Sequence, residues 1–316
     1  MAAESHTPGD GIELGQTQYG KSEIHLVHID RATPRHRIRD VTVTTTLRGH
    51  FTDSYVTGDQ AGQLPTDSQK NTVFGYARRF GIGALEDFGL RLARHFVSDI
   101  DSNTAARVQI AEDAWQRIDV GGSGHDHSFV RGGAGVRTAS VAVDGTGDAE
   151  RVAVAAGIRD LVVLKSTASE YQGYLKDPYT TLPETTDRIL ATSLVAQWRY
   201  ADDAVRAGTV DWDGAYQAVC ATLLSTFATL YSKALQHTLW HMGRAVLDEQ
   251  PDVTAIHLSA PNKHHFLVDL EPFGLDNPGE VFYAADRPYG MIEAMVQRSG
   301  AADAGAPSLD WPELDR

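Results

Sequence analysis

The sequence predicts an α+β protein of two tandem ββααββ units, each an antiparallel sheet with helices on one face. Periodicity is the first reason. Segments of alternating apolar residues give way to a pair of segments with apolar residues three and four apart, and then alternation returns. Recurrence is the second, because the same order starts again after Gly132, Gly133 and Gly135. A chain of 316 residues is long enough for both units to bury cores of ordinary size.

In the first unit, Ile24, Leu26 and His28 alternate with His25, Val27 and Ile29, and Ile38 to Phe51 continues with Val41, Val43 and Leu47, so both stretches are expected to be strands. Ser68 to Arg79 reads as a helix, and Leu85, Phe88, Leu92 and Phe96 mark a second at helical spacing. Extended segments follow at Ala105 to Val120 and His125 to Arg131. In the second unit, Val136 to Val143, Arg151 to Ala156, Leu161 to Lys165 and Thr192 to Tyr200 read as strands. Asp211 and Asp213 favour a helix start there, and Tyr216, Val219, Leu223, Phe227 and Leu230 share its apolar face. Leu235, Leu239, Met242 and Val246 form the next helical stripe, before strands at Val253 to Ser259 and Phe266 to Leu270. The expected organisation is a loose N-terminus over 1–16, a first unit over 17–134, a second over 135–298 and a loose tail over 299–316.

A net charge of −14 argues against nucleic acid or an anionic membrane as partner. No run is long and apolar enough to span a bilayer, and residues 1–30 lack the order of a secretory signal. The chain ends in Leu-Asp-Arg rather than the Ser-Lys-Leu peroxisomal address, so a cytoplasmic location is expected. One cysteine, Cys220, leaves no intrachain disulfide and makes a cysteine-based zinc site implausible; its place in a helical run suits a buried structural thiol.

Residues suited to chemistry are dispersed. Leu161 to Arg188, LVVLKSTASEYQGYLKDPYTTLPETTDR, ends an apolar strand in a polar, aromatic segment closed by an arginine. An aromatic ring can stack on a planar anion while a guanidinium grips its edge through two hydrogen bonds. Tyr171 could equally be a packing residue, and Arg188 could be ion-paired with Glu184 or Asp187. Tyr19-Gly20-Lys21 precedes the first strand, where a lysine is usually a solvated charge. Thr66-Asp67 in LPTDSQKNT reads as a helix cap, and Gln236 follows an apolar anchor, Leu235, where solvent exposure is usual. In Pro261 to Phe266, PNKHHF, Asn262 and His264 share one side of an extended segment, which leaves adjacent His264 and His265 poorly placed to bind one metal ion. His125 and His127 in GHDHSFVR share a strand face, a better metal geometry, but no third ligand has an evident position.

Together these motifs resemble the urate oxidase (uricase) family. Its diagnostic segment runs L-K-S-T-x-S-x-F-x-G-[FY], then Y-x-T-L and an arginine. Its other patterns are Y-G-K, T-D-S-x-K-N-T, S-x-x-[VL]-Q-x-T-[LM], P-N-K-H-[YH]-F and H-x-H-S-F. All occur in order, and Tyr171 stands where the family usually has Phe. The resemblance implies the tunnelling fold, in which two ββααββ units per chain assemble into a hollow tetrameric barrel with active sites at subunit interfaces. It implies oxidation of urate by dioxygen without metal or flavin. It also implies roles by residue: Lys21, Thr66 and His264 as a catalytic proton relay, with Thr66 and Asp67 reaching the ligand across an interface. Tyr171 would stack on the purine beside Leu182, Arg188 and Gln236 would grip its edges with Leu235 lending its backbone, and Asn262 would face dioxygen or water. The Tyr171 hydroxyl would then need a partner or water. A tunnelling-fold enzyme acting on pterins would instead need an anchoring glutamate and often a metal, and a non-catalytic purine-binding barrel would lack the relay.

Overall fold

The computed structural model describes residues 12–300; the expected loose ends lie outside it over 1–11 and 301–316. The chain opens with strands β1 (Tyr19–Asp30) and β2 (Arg37–Gly49), a short α1 (Thr52–Val56), and the helix pair α2 (Thr66–Phe80) and α3 (Leu85–Ser98). Strands β3 (Asn103–Asp113), β4 (Trp115–Val120), β5 (Ser123–Arg131) and β6 (Val136–Asp144) follow. Then come β7 (Arg151–Lys165), β8 (Leu190–Tyr200), α4 (Asp202–Ala207), α5 (Trp212–Thr229), α6 (Leu235–Glu249), β9 (Val253–Leu267) and β10 (Phe282–Gln297).

Eight strands make one antiparallel sheet in the order β1-β2-β3-β6-β7-β8-β9-β10, with β4 and β5 as a separate hairpin. Two separate sheets were expected. The short connection between β6 and β7 instead pairs them from Val136 opposite Arg159 to Asp144 opposite Arg151, which fuses the halves. Each half keeps four strands, with its main helix pair between the second and third.

The halves also repeat in detail. A Cβ at Gly89 of α3 would lie 2.8 Å from Val141 of β6, and one at Gly243 of α6 would lie 2.6 Å from Val296 of β10. In each half the second helix therefore presses on the fourth strand through a glycine that no larger residue can replace without displacement. Below the helices, Val41, Val43 and Leu47 of β2, Val108 and Ile110 of β3, and Leu92 and Phe96 of α3 are buried, as are Trp198, Leu223, Leu239 and Ile256 in the second half. Two polar links cross between halves. Trp212 of α5 donates to Asp87 of α3 at 2.8 Å, and Arg137 of β6 bonds Glu86 of α3 at 2.9 Å and Asp213 of α5.

Several boundaries move for local reasons. The two strands read at 151–156 and 161–165 are one, because a bulge between Ile158 and Leu161, with Asp160 at φ 58°, absorbs the break in alternation. The strands read at 253–259 and 266–270 merge into β9, so PNKHHF lies inside a strand. Strand β10 was not expected at all. Pro288 and Gly290 interrupt its pattern, and a register shift between Ala285 and Gly290 accommodates them while pairing resumes on either side. Cys220 is half-buried, and burial raises its thiol pKa. Among the described residues no helix is long and apolar enough to cross a membrane.

Candidate active site

The segment after β7 is held by backbone pairing rather than by regular structure. Ser169 bridges Ser232, Glu170 N–H donates to the Ser232 carbonyl at 2.8 Å, and Ser232 N–H donates to Ala168 at 3.0 Å. Tyr171 exchanges backbone hydrogen bonds with Thr185 at 2.9 and 3.1 Å, and Arg188 N–H donates to the Ser169 carbonyl at 2.9 Å. Lys165 donates to the Leu230 carbonyl. These bonds lash the LKSTASEY segment to the loop before α6, so Tyr171 and Arg188 are carried to the helix start where Leu235 and Gln236 stand. Leu235 is buried and Gln236 is exposed.

Arg188 is the most informative side chain here. The two carboxylates that could have paired with it are engaged elsewhere: Glu184 bonds Lys176 at 3.0 Å, and Asp187 accepts from Thr167 at 2.9 Å. Among the described residues Arg188 makes no ion pair, and its only side-chain hydrogen bond is a long one to Ser169 Oγ at 3.4 Å. Burial lowers its pKa from the ordinary arginine value, an effect the Tyr171 ring opposes. A half-buried guanidinium without a carboxylate can receive an external anion. Its central carbon lies 5.0 Å from the centroid of the Tyr171 ring, so an aromatic face and a cationic edge adjoin.

Strand β9 supplies the other wall. Asn262 is opposite Thr192 of β8 and Gly290 of β10, and His264 is opposite Ala285. His264 stacks on Phe266 with centroids 5.7 Å apart. Its pKa is lowered by burial first, then by the positive charge of Arg188 and by His265, which favours the neutral ring near pH 7. Leu182 is exposed, and its carbonyl accepts from the Tyr174 hydroxyl. Tyr174 itself stacks on Tyr171 at 4.7 Å with planes 16° apart. Its contribution was overlooked in the sequence although it fills the [FY] position of the diagnostic segment, the signal that could have found it.

Lys21, Thr66 and Asp67 form a second group. Lys21 sits at a bulge in β1 opposite Thr45, and the Tyr19 hydroxyl donates to the Leu64 carbonyl at 3.0 Å, which fixes β1 against the entry to α2. Thr66 and Asp67 are the first residues of α2; the cap position is Pro65, and no side chain caps the helix. Asp67 instead bonds Lys70 and Asn71, and its pKa is lowered by Lys70 first, with Lys21 contributing. The capping reading of Thr66-Asp67 therefore fails, because Asp67 turns along the helix rather than back to its free N–H groups. Among the described residues the side chains of Lys21 and Thr66 make no hydrogen bond.

The structure thus joins Tyr171, Leu182 and Arg188 in one segment tied to the loop before Leu235 and Gln236, sets His264 on the strand of Asn262 in the field of Arg188, and places Lys21, Thr66 and Asp67 at the other end of the sheet. Six strand spacings separate β1 from β9 in the sheet order, about 30 Å at some 4.8 Å each. His125 and His127 sit on the hairpin with ring centroids 4.5 Å apart, and Arg117 donates to the carbonyls of His125 and Asp126 beside them. Among the described residues no three His, Cys, Asp or Glu side chains cluster to hold a metal.

A family model described as Uricase matches residues 17–142 and 154–293. The chain belongs to the uricase family. It is 50% identical over 299 residues to a uricase of Arthrobacter globiformis, covering 95% of this chain and 94% of that one. It is 33% identical to a uricase of Oryctolagus cuniculus over 92% of this chain and 96% of that one. A crystal structure of the A. globiformis uricase superposes with a TM-score of 0.86 at 49% identity, covering 95% of this chain and 99% of that one.

Proposed function

We propose that the protein is a urate oxidase, an oxidoreductase that converts urate, dioxygen and water to 5-hydroxyisourate and hydrogen peroxide in purine catabolism. The observation that carries this reading is Arg188, half-buried, without a carboxylate and beside the Tyr171 ring, in a chain of the uricase family. Arg188 meets one edge of the urate anion through paired hydrogen bonds while Tyr171 stacks on its face and Leu182 and the Leu235 backbone flank it. Gln236 offers a donor and an acceptor to the opposite, alternating edge. Asn262 orients dioxygen or water above the ring.

Ionised urate is electron-rich enough to reduce dioxygen once both are held together, so this reading assigns no metal and no flavin. Transfer of electrons from urate to dioxygen gives a peroxide intermediate; water then adds to the ring, and hydrogen peroxide leaves. Lys21, Thr66 and His264 carry the protons, the neutral imidazole serving as acceptor. Enclosure of the ring keeps bulk water from competing with the relay.

The separation of the two residue groups supports a site completed by a second copy of the chain, in which Lys21, Thr66 and Asp67 of one subunit meet the Arg188 side of another. The outer edges of β1 and β10 support the same assembly. Val27 and Ile29 on β1 and Tyr283, Met291 and Met295 on β10 are exposed, and an unpaired apolar edge calls for a partner strand. A homotetrameric tunnelling-fold barrel satisfies both edges. Two tandem units, read as 17–134 and 135–298, belong to this proposal; the matching Gly89 and Gly243 contacts favour the repeat and draw its seam towards the turn between β6 and β7.

The test is the ultraviolet absorbance of urate incubated with the purified protein, with and without a chelator. Loss of absorbance that survives chelation is the expected result, and Lys21→Ala and Thr66→Ala should each lower turnover strongly. No loss would leave only a purine-binding barrel, and chelator-sensitive turnover would favour a metal-dependent enzyme.

A further inference from the structure

We propose that His237 and His241 of α6 form a two-histidine site for a borderline divalent transition-metal ion of the zinc, nickel or copper class. Residues four apart on a helix share one face, and these rings meet with centroids 4.5 Å apart and planes 63° apart. An ion held about 2.0–2.1 Å from one nitrogen of each ring fits that separation with small side-chain rotations. Both side chains are partly exposed, so an ion can reach them.

Nδ1 of His237 is closed off from solvent and has no hydrogen-bond partner among the described residues, so the nitrogen of that ring open to an ion is Nε2.

The surroundings set the character of the site. A cleft of 580 Å³ between α5 and α6 runs beside His241, lined also by Thr226, Thr229, Arg244 and Asp248, and gives water room to complete the coordination shell. Among the described residues no third His, Cys, Asp or Glu joins the pair, so two imidazoles carry the affinity and copper should bind more tightly than zinc or nickel. Lys233 opposes a cation locally, while the chain's net charge of −14 favours one overall. This site is independent of the urate reading.

Isothermal titration of the full-length protein with Cu²⁺ and with Zn²⁺, in a non-chelating buffer, tests it. The expected result is about one tight ion per chain, with copper spectra showing two imidazole nitrogens. The variant carrying His237→Gln and His241→Gln should lose that ion, its affinity falling at least about tenfold, while the variant carrying His125→Gln and His127→Gln keeps it. Each single variant, His237→Gln or His241→Gln, should bind with intermediate affinity, which guards against misfolding of the double variant. Unchanged binding in the 237/241 variants, or loss only in the 125/127 variant, would overturn the proposal.

Discussion

Tyr174 touches the candidate site in two chemically different ways. Its ring stacks on Tyr171, and its hydroxyl donates to the carbonyl of Leu182, so one side chain fixes both the aromatic platform and the neighbouring backbone. Lys176, ion-paired with Glu184, lies 5.7 Å from the same ring, and Glu184 accepts from Gly173 N–H at 3.3 Å. Tyr174→Phe keeps the stack and removes one hydrogen bond, worth about 1 kcal/mol, so urate KM should rise by roughly fivefold with kcat little changed. Tyr174→Ala removes both contacts and should raise KM further; if neither variant moves KM, the ring has no positioning role. His264 gives a second residue-scale prediction. Burial and the charge of Arg188 hold its folded pKa below the ordinary 6.5. Above 6.5 both folded and unfolded rings are neutral; as pH falls through 6.5 the unfolded chain takes the proton first, and stability is lost from there down to the folded value. In an NMR titration His264 should therefore titrate below free histidine, and Arg188→Gln should move that transition upward. A titration at or above the free value would remove His264 from this environment.

At the scale of elements, Arg137 joins what the two halves would otherwise leave separate. Its side chain is 11% exposed and reaches Glu86, which is fully buried, and Asp213 at the start of α5, while its guanidinium lies 4.5 Å from the Tyr216 ring. Burial raises the Glu86 pKa even with Arg137 opposing the shift. Arg137→Met leaves that carboxylate buried and unpaired, which should cost about 3–5 kcal/mol, whereas adding Glu86→Gln should recover much of the loss. Urea unfolding of the single and double variants measures this, and equal destabilisation by both would sink the argument. None of this was legible in the sequence, because periodicity reports which residues face a core and not which charges meet across a seam. The helices α2, α3, α5 and α6 were legible, since three- and four-residue apolar spacing survives any tertiary context. β10 was not, because Pro288 and Gly290 break its alternation and only cross-strand bonds to β9 reveal it. The site residues were found through motifs spread from Tyr19 to Phe266, and the single-sequence reading of each was ambiguous; what resolved Arg188 was seeing Glu184 and Asp187 bonded to other partners.

At the scale of the molecule, the strands carrying Lys21 and His264 are six spacings apart along one continuous sheet, about 30 Å measured across its strands, and no contact joins the two groups among the described residues. The proposed assembly would join the two sides, because closure that pairs β1 with a neighbour's β10 also brings the first half of one chain towards the second half of the next. Subunit mixing separates this arrangement from a single-chain site. A Lys21→Ala chain retains His264, and a His264→Ala chain retains Lys21. Each variant alone should be nearly inactive, since every site lacks one relay member. Denatured together in equal amounts and refolded, they should form mixed oligomers in which about a quarter of the interfaces combine an intact Lys21 from one chain with an intact His264 from the other. Urate turnover should then recover to about that fraction of the wild-type rate, and a mixture of oligomers refolded separately should recover none. If the co-refolded sample also stays inactive while forming mixed oligomers, Lys21 and His264 do not serve one site across the interface, and the relay must be sought within a single chain.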